Sequence, residues 1–420
     1  MRVLIINIGY SPFQGGSQVY AKEIAERLAA ETNQVEVFTT NAGETDAIWK
    51  AGKACITEVE ESLVGVPVRR FPIRYLPFSP YSYYALRRAA IELSRSRLGH
   101  EDWLWSLARL TPRVPELEKA LSAETGHYDL VHGMSIPFES VMYAGFQYAR
   151  RCDLPFVATP FVHLGEEGSD RVRRFYTMRH QMSLLRRSDA VFTLTPLEKQ
   201  YLVQQGVAEE KVHSVGAGVD LESLAGGNAQ RFRDTFGIER PFAFYLGAVA
   251  FEKGAVHILE AMHRLWSQGF EGDLVLAGTP FEHFARYFHR LPQRETSRCH
   301  LLGPISHQDK LDLLACGEVL VMPSRTESFG ISYLEAWAYE KPVIGAMAGA
   351  VPDVIADGVD GYLVPFGDVD AIAMNIERLM SDKEEAARMG RRGREKVERL
   401  FTWDKVYSRV KNVYHMLVGN

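Results

Sequence analysis

The 420-residue chain has little of what several protein classes require. Its four cysteines lie far apart and form no CxxC pair, which argues against a zinc site or a disulfide framework. No stretch reaches 18 apolar residues, so we expect no transmembrane helix, and the apolar run after Arg2 is too short for a signal peptide. A net charge of −5 does not indicate a nucleic-acid-binding protein. The expected location is therefore the cytoplasm.

The length favours two domains of roughly 200 residues each. Short apolar runs alternate with helical patterns, which predicts parallel sheets covered by helices. The segment from Gly216 to Arg231, GAGVDLESLAGGNAQR, is rich in glycine and small residues, and it predicts the break between the two halves. We expect an α/β protein with two doubly wound, Rossmann-like parallel sheets that face each other across a cleft. Ligands then bind beyond the carboxyl ends of the strands.

Nine apolar runs are predicted strands. In chain order they are VLIINIG, VEVFTT, YDLVHGMS, PFVATPFVH and AVFTLTP in the first half, and FAFYLGA, DLVLAGT, VLVMPS and PVIGAMAG in the second.

One region, from Val66 to Pro115, breaks the pattern because it is dense in aromatic residues, arginine and proline. It predicts an insertion of helices and loops at the rim of the first domain. Two interpretations stay open: the aromatic residues fill the core of a helical hairpin, or they form with the arginines a surface for anionic lipid or a lipid-linked acceptor. The residues concerned are Arg69, Arg70, Arg74, Arg87 and Arg88, with Phe71, Tyr75, Phe78, Tyr81, Tyr83 and Tyr84.

The loop GAVAFEKG, from Gly247 to Gly254, follows a predicted strand and opens a helix. Backbone N–H groups at a helix N-terminus favour anions, and Lys253 adds a positive charge there. The loop lacks the Walker A pattern, and no GxGxxG follows the first strand. An ordinary turn with a solvated lysine is the alternative.

The stretch RTESFGISYLEA contains Glu327, at a predicted strand end, and Glu335, on the following helix. Glu335 falls on the same helical face as the apolar Ile331, Leu334 and Ala338. A buried carboxylate needs a partner, which is either a buried arginine or a ligand. Carboxylates accept hydrogen bonds from paired hydroxyls, so two carboxylates at one cleft could hold two different sugars.

Two further positions lie at predicted loops. His163 ends the strand in PFVATPFVHLGE, where it is either structural or part of the site; His132, in YDLVHGMS, shows nothing beyond packing. Gly15 and Gly16, in SPFQGGSQVYAKEI, form either a tight turn or a close approach to a phosphate or sugar.

These motifs together resemble the retaining glycosyltransferases of family 4 (GT4), which have the GT-B fold. The E-x7-E spacing from Glu327 to Glu335 carries the resemblance, within PSRTESFGISYLEAWAYEKPVIGAMAGAVPDVIADGVDGYLVPFGDVDAIA. Other matching segments are RSDAVFTLTPLEKQYLVQQGV, VHSVGAGVDLESL, LLGPISHQDKLDLLACGEV and FTWDKVYSRVKNVY. Nearly the whole chain is covered, except the region from Val66 to Pro115.

The resemblance implies an acceptor-side domain at residues 1–215, a nucleotide-sugar domain at 216–400, and a C-terminal helix at 401–420 that packs back on the first domain. It implies catalytic roles for Lys253, which would neutralise the diphosphate, Glu327, which would hold donor-sugar hydroxyls, and His163, near the anomeric centre. By similarity Glu335 would bind the ribose hydroxyls, Gly16 would meet the diphosphate from the opposite domain, and Ile305 would lie beside the nucleobase. The other donor-binding positions it implies are Gly15, Gly254, Phe329 and Gly330.

The implied reaction is transfer of a hexosyl unit, with retention, from a nucleoside-diphosphate sugar to a glycan or lipid-linked saccharide, as in polysaccharide biosynthesis. UDP is the preferred nucleotide and GDP the next. Neither a protein nucleophile, nor a metal, nor a cofactor is expected. A peripheral contact at the inner face of the membrane is a further expectation.

The sequence departs from the family at Ala248, where an arginine is usual, and at Ala350 and Asp353, which replace Gly and Glu. The missing phosphate cation leaves open a catalytically weak sugar-nucleotide-binding or assembly-partner protein. Arg325 is a candidate replacement, as are arginines from the other domain, namely Arg171, Arg173 and Arg174. An NAD-dependent oxidoreductase is disfavoured, because no GxGxxG with an acidic residue at the next strand end is present.

Overall fold

The computed structural model of the chain describes residues 1–13, 15–31, 33–96, 100–125, 127–166 and 168–419. The chain divides into two compact units. The first contains Met1–Val162, Arg171–Val215 and Tyr407–Asn420, and the second contains His163–Asp170 and Gly216–Val406. Both are parallel-sheet α/β units, which confirms the fold class predicted from the sequence.

The first unit is built on an eight-stranded sheet. Its strands are β1 Arg2–Ile6, β2 Gln34–Thr40, β3 Glu60–Leu63, β4 Val66–Phe71, β5 Leu130–Met134, β6 Phe156–Thr159, β7 Ala190–Thr193 and β8 Val212–Ser214. Its helices are α1 Gly16–Ala30, α2 Tyr81–Arg95, α3 Glu101–Ala108, α4 Pro115–Ala123, α5 Glu139–Arg151, α6 Arg179–Arg187 and α7 Pro196–Gln204. The strand order is β3-β4-β2-β1-β5-β6-β7-β8, and only β3 runs antiparallel to its neighbour.

The second unit has a six-stranded parallel sheet. Its strands are β9 Phe242–Leu246, β10 Asp273–Ala277, β11 Cys299–Gly303, β12 Val319–Met322, β13 Val343–Ala346 and β14 Gly361–Val364. The helices are α8 Ala229–Phe236, α9 Ala255–Ser267, α10 Glu282–Phe288, α11 Gln293–Thr296, α12 His307–Cys316, α13 Ile331–Ala338, α14 Val351–Val354, α15 Val369–Ser381 and α16 Lys383–Leu400. A last helix, α17 Trp403–Val418, begins in this unit and ends in the first.

The strand orders locate where each sheet can bind a ligand. The second sheet runs β11-β10-β9-β12-β13-β14. Successive strands are therefore added on one side of β9 up to β11 and on its other side from β12 onward. In the first sheet the same change of side lies between β1 and β5. Ligands of open α/β sheets bind at this switch point, beyond the carboxyl ends of the strands. Strands such as β9 and β12 are buried along their whole length, as expected where helices cover both faces of a sheet.

The prediction of helices and loops alone from Val66 to Pro115 is wrong at its start. The first six residues form β4, which pairs with β2 inside the sheet. Val66 and Val68 alternate inward as a strand requires, but Pro67 and the arginine pair that follows disguise the pattern. Helices α2 and α3 follow, and residues 97–99 of this region lie outside the described residues.

In the described part of the chain, no helix is both long and apolar enough to cross a membrane.

Candidate active site

Two loops meet at the switch point of the second sheet. Lys253 ends a 3-10 turn, Phe251–Lys253, between β9 and α9, and Glu327 follows β12. The Lys253 Nζ lies 2.6 Å from Glu327 Oε1 and 3.3 Å from the carbonyl oxygen of Thr326. Both side chains are partly buried. The strand order thus brings two of the sequence-predicted residues into direct contact.

Gly254 shows how closely these two loops pack. Its φ of 81° lies in the left-handed region, which favours glycine. A Cβ at this position would collide with the carbonyl oxygen of Pro323, at the end of β12. Gly254 also caps the N-terminus of α9, so the helix begins directly behind Lys253.

His163 joins the same cluster through Thr326. Its Nδ1 lies 2.6 Å from the Thr326 carbonyl oxygen, and because a carbonyl only accepts, Nδ1 carries the hydrogen. Burial, and then the charge of Lys253, lower the pKa of His163 to about 4, although Glu327 and the hydrogen bond to Thr326 oppose the shift. The imidazole is therefore neutral at pH 7.

Glu335 lies on α13 and forms an ion pair with Lys310 on α12, with 2.6 Å between Nζ and Oε1. Sequence reasoning considered an arginine or a ligand as its partner and missed this lysine. The two residues are 25 positions apart on different helices, and no spacing pattern in the sequence links them.

Three more of the predicted donor-binding positions belong to the second unit: Phe329, Gly330 and Ile305. Gly330 caps α13 with a φ of 92°, and a Cβ there would collide with the ring of Tyr333. Phe329 is buried, with its ring 5.3 Å from that of Phe401. Ile305 lies between β11 and α12 and is partly exposed. Backbone N–H groups at the start of α13 therefore lie next to the loop of Glu327.

Gly15 and Gly16 lie in the first unit, between β1 and α1, and residue 14 is outside the described residues. Gly15 is extended, with a φ of 176°, and a Cβ at Gly16 would have no heavy atom within 4 Å. Neither position needs glycine for a left-handed turn. The space beside Gly16 is open to a ligand.

Ala248 stands where the family usually has an arginine. Its carbonyl oxygen accepts a hydrogen bond from the Tyr245 hydroxyl at 2.7 Å. Arg325, one proposed replacement, stacks 4.0 Å from the centre of the Phe366 ring and pairs with Glu252 at 2.8 Å and Glu166 at 3.3 Å. Arg325 therefore lies beside the Lys253 loop, but its charge is already paired.

The other three candidate arginines, Arg171, Arg173 and Arg174, belong to the first unit. The Arg173 guanidinium lies 5.5 Å from the centre of the Tyr201 ring, and that of Arg174 lies 5.1 Å from the centre of the Phe175 ring.

Among the residues that the structure describes, no group of three or more His, Cys, Asp or Glu side chains could hold a metal ion.

Two family models match the chain in succession. The glycosyl transferase 4-like domain matches residues 15–218, and the glycosyl transferases group 1 model matches residues 228–396. The chain belongs to glycosyltransferase family 4. It is therefore a glycosyltransferase, an enzyme that transfers a sugar to an acceptor.

Named relatives and solved structures agree with this assignment. The chain is 27% identical to a D-inositol 3-phosphate glycosyltransferase of Streptomyces avermitilis, over 98% of this chain and 87% of that protein. It is 25% identical to an MMP alpha-(1->4)-mannosyltransferase of Mycolicibacterium hassiacum, over 100% and 99% of the two chains. The crystal structure of Anabaena HepE in complex with UDP superposes with a TM-score of 0.73 at 17% identity, covering 99% of this chain and 100% of the other. Sucrose-phosphate synthase from Thermosynechococcus elongatus gives 0.74 at 21% identity over both full chains. These two structural likenesses establish the GT-B fold.

Proposed function

We propose that this glycosyltransferase moves a hexosyl unit from a nucleoside-diphosphate sugar to a glycan or lipid-linked saccharide, with retention of configuration at the anomeric carbon. The observation that carries the proposal is the Lys253–Glu327 pair at the switch point of the second sheet, between the N-termini of α9 and α13. UDP is the preferred nucleotide and GDP the next, because the HepE protein of similar fold was crystallised with UDP and with UDP-glucose.

The chemistry of the reaction calls for such a cluster. Cleavage of the anomeric C–O bond leaves negative charge on the diphosphate. The Lys253 ammonium and the two helix N-termini stabilise that charge where it develops, so we propose that no metal or cofactor is needed. The acceptor attacks from the leaving-group side, and the diphosphate takes its proton. No protein nucleophile is then required.

We assign the two carboxylates to different sugars. Glu327, beside Lys253, holds hydroxyls of the donor sugar, and Glu335, on α13, holds those of the ribose. Lys310 pairs with Glu335 at 2.6 Å and supports this role, because a charge-assisted hydrogen bond fixes the position of the carboxylate on α13.

A weaker alternative starts from Ala248. With one phosphate cation missing and Arg325 already paired with Glu252 and Glu166, the chain would bind a sugar nucleotide but turn it over slowly, as an assembly partner of the same fold. Turnover of a bound donor separates the two possibilities.

A membrane contact completes the proposal on the acceptor side. Phe78, Tyr81 and Tyr84 are 88%, 75% and 61% exposed, whereas Phe71 and Tyr83 of the same region are buried in the first unit. Tyr81, Tyr84 and Arg88 share one face of α2 by their spacing. Exposed aromatic rings beside an arginine suit the interface of an anionic membrane, so we propose that the protein works in the cytoplasm, at the inner face of the membrane.

A thermal-shift panel with UDP, GDP, ADP and NAD tests the donor assignment. A ligand that binds only the native state stabilises it by about 2.7 kcal/mol at one hundred times its Kd, so the true nucleotide raises Tm clearly. Glu335→Ala should remove most of the shift, and Glu377→Ala, at an exposed carboxylate on α15, should retain it. No shift with any diphosphate would refute the nucleotide-sugar proposal, and a full shift with Glu335→Ala would refute the ribose role.

A further inference from the structure

Arg70 occupies a position where the pattern of β4 requires an apolar residue. Val66 and Val68 point into the core of the first unit, and Arg70 is the next residue on that face, with only 1% of its surface exposed. Burying a guanidinium is unfavourable unless its charge and donors are satisfied, and an apolar residue would often serve stability as well. A reason other than stability is therefore indicated.

The guanidinium connects the edge of the sheet to the loop that follows β1. One terminal nitrogen, Nη2, donates to the carbonyl oxygen of Ser11 at 2.6 Å. The other, Nη1, pairs with the Glu61 carboxylate on β3 and lies 3.4 Å from the Glu58 carbonyl oxygen. Only a planar group with several fixed donors can make these contacts together; a lysine ammonium cannot span them.

Thr40 and Asn7 also anchor this part of the chain. The Thr40 hydroxyl, at the end of β2, donates to the Ile8 carbonyl at 2.5 Å. Asn7, which is fully buried, donates from Nδ2 to the Ser17 carbonyl of α1 at 3.1 Å and accepts from the Ser135 hydroxyl at 3.0 Å. Arg70 therefore fixes the loop before the two glycines, at Ser11, and Asn7 fixes the chain just after them, at Ser17.

We propose that Arg70 is a positioning residue, which fixes the loop carrying Gly15 and Gly16 so that their backbone can approach the donor diphosphate. The inference rests on the proposed function and on the place beside the diphosphate that the family resemblance implies for Gly16. Arg70 itself does not touch the donor. It acts through the Ser11 carbonyl, and its buried charge is balanced by Glu61.

The adjacent Arg69 provides a matched control. It lies on the same strand but on the other face, pairs with Glu60 at 3.2 Å and Glu124 at 3.4 Å, and stacks 4.9 Å from the centre of the Phe38 ring. Arg69→Met removes a cation and its packing from β4 without touching the loop.

The experiment measures the Kd of the full chain for UDP, with GDP in parallel, by calorimetry well below the Tm of each variant. Arg70→Met and Arg70→Lys should weaken binding roughly tenfold, the factor that corresponds to one lost charged hydrogen bond, and Arg69→Met should change it less than twofold. Should the methionine variant fail to fold, the lysine variant, which keeps the charge beside Glu61, decides. Wild-type affinity in Arg70→Lys, or an equal loss in Arg69→Met, would overturn the proposal.

A double-mutant cycle with Gly16→Ala separates this role from general destabilisation. Gly16→Ala places a methyl group in the open space beside the loop. If Arg70 acts through the loop, Arg70→Lys should cause little further loss of UDP affinity in the Gly16→Ala background. If the two substitutions act independently, their losses of binding free energy add, and that result would overturn the inference. A wild-type protein that binds neither UDP nor GDP would instead refute the proposed function. If Gly16→Ala leaves binding unchanged, the loop does not approach the diphosphate, and the inference about Arg70 is overturned while the proposed function stands.

Discussion

The two carboxylates of the E-x7-E motif are each paired with a lysine, Glu327 with Lys253 and Glu335 with Lys310. Both pairs are partly buried, so loss of one partner leaves the other charge poorly solvated. The four residues come from two loops and two helices of one unit. The charges of the site are therefore balanced within the second unit.

Lys253→Met should lower kcat for sugar transfer by roughly 100- to 1,000-fold, the usual effect of removing one group that stabilises developing charge. The expected reason is the loss of the cation beside the leaving diphosphate. The measurement is donor turnover with the acceptor at saturation, with Lys405→Met, at an exposed lysine, as the control. Unchanged turnover in Lys253→Met would show that the cation plays no part in the chemical step.

The sequence locates these residues unequally well. Lys253 and Glu327 were predicted at strand ends because each follows an apolar run and precedes a helical pattern, and the structure has both there. The Lys310–Glu335 pair could not be predicted, since it depends on how α12 and α13 pack. The sequence leaves open whether the aromatic residues around Arg70 form a core or a surface with it, because nothing local distinguishes a buried arginine from an exposed one.

At the level of elements, the strands that were found are mostly apolar and buried, and strands that mix apolar with polar or partly exposed residues were missed. All nine predicted runs contain strands, whereas β3, β4, β8, β11 and β14 were not predicted. In β4 the arginines conceal the alternation, and β8 has only three residues. Tertiary pairing, not local propensity, makes these segments strands.

Helix α7 carries a buried carboxylate that should make stability depend on pH. The Glu198 oxygens accept backbone hydrogens from Val162 and Leu194, at 2.8 Å each, which joins the ends of β6 and β7 to the helix. Burial raises the pKa of Glu198 to about 7, against the lowering effect of those two hydrogen bonds. The folded protein then binds more protons than the unfolded chain between pH 4.5 and 7, so the free energy of unfolding falls as pH rises through that window.

His132 acts in the opposite direction. It lies between the Tyr414 and Thr159 hydroxyls, at 2.6 Å from each, and burial lowers its pKa to about 3. Its contribution to stability is present above pH 6.5 and is lost as pH falls towards 3. The lowered pKa of His163 has the same sign.

We therefore expect Glu198→Gln to make the free energy of unfolding rise more steeply from pH 4.5 to 7 than in the wild type, by up to about 1.4 kcal/mol per pH unit. Urea titrations at half-unit intervals measure this slope. Glu377→Gln, at an exposed helical carboxylate, is the control. Equal slopes in wild type and Glu198→Gln would show that Glu198 is charged in the folded protein throughout that range.

For the molecule as a whole, the first unit presents the exposed Phe78, Tyr81 and Tyr84, and the second carries the paired charges of the E-x7-E motif. Each unit has its own sheet and its own buried core. A division of labour between acceptor and donor follows from the proposed function, with the aromatic residues on the acceptor side.

The protein should bind vesicles that contain anionic lipid, and the binding should weaken as salt concentration rises because the arginine contribution is screened. Replacing Phe78 and Tyr81 together by serine should reduce binding severalfold in a sedimentation assay. Met374→Ser, at an exposed apolar residue of α15, should not. Absence of binding at every salt concentration would remove the membrane contact from the proposal.

The first unit is assembled from segments that lie far apart in the chain, and this affects how it folds during synthesis. Residues from Tyr407 onward belong to it, although roughly 190 residues separate them from Val215. At 5 to 20 residues per second, a ribosome needs about 10 to 40 s to make that intervening stretch. Until then the first sheet lacks the helix that brings Tyr414 to His132, and its apolar surface there stays uncovered. The nascent chain therefore has a defined interval in which chaperones can bind it, and that interval ends only when α17 docks.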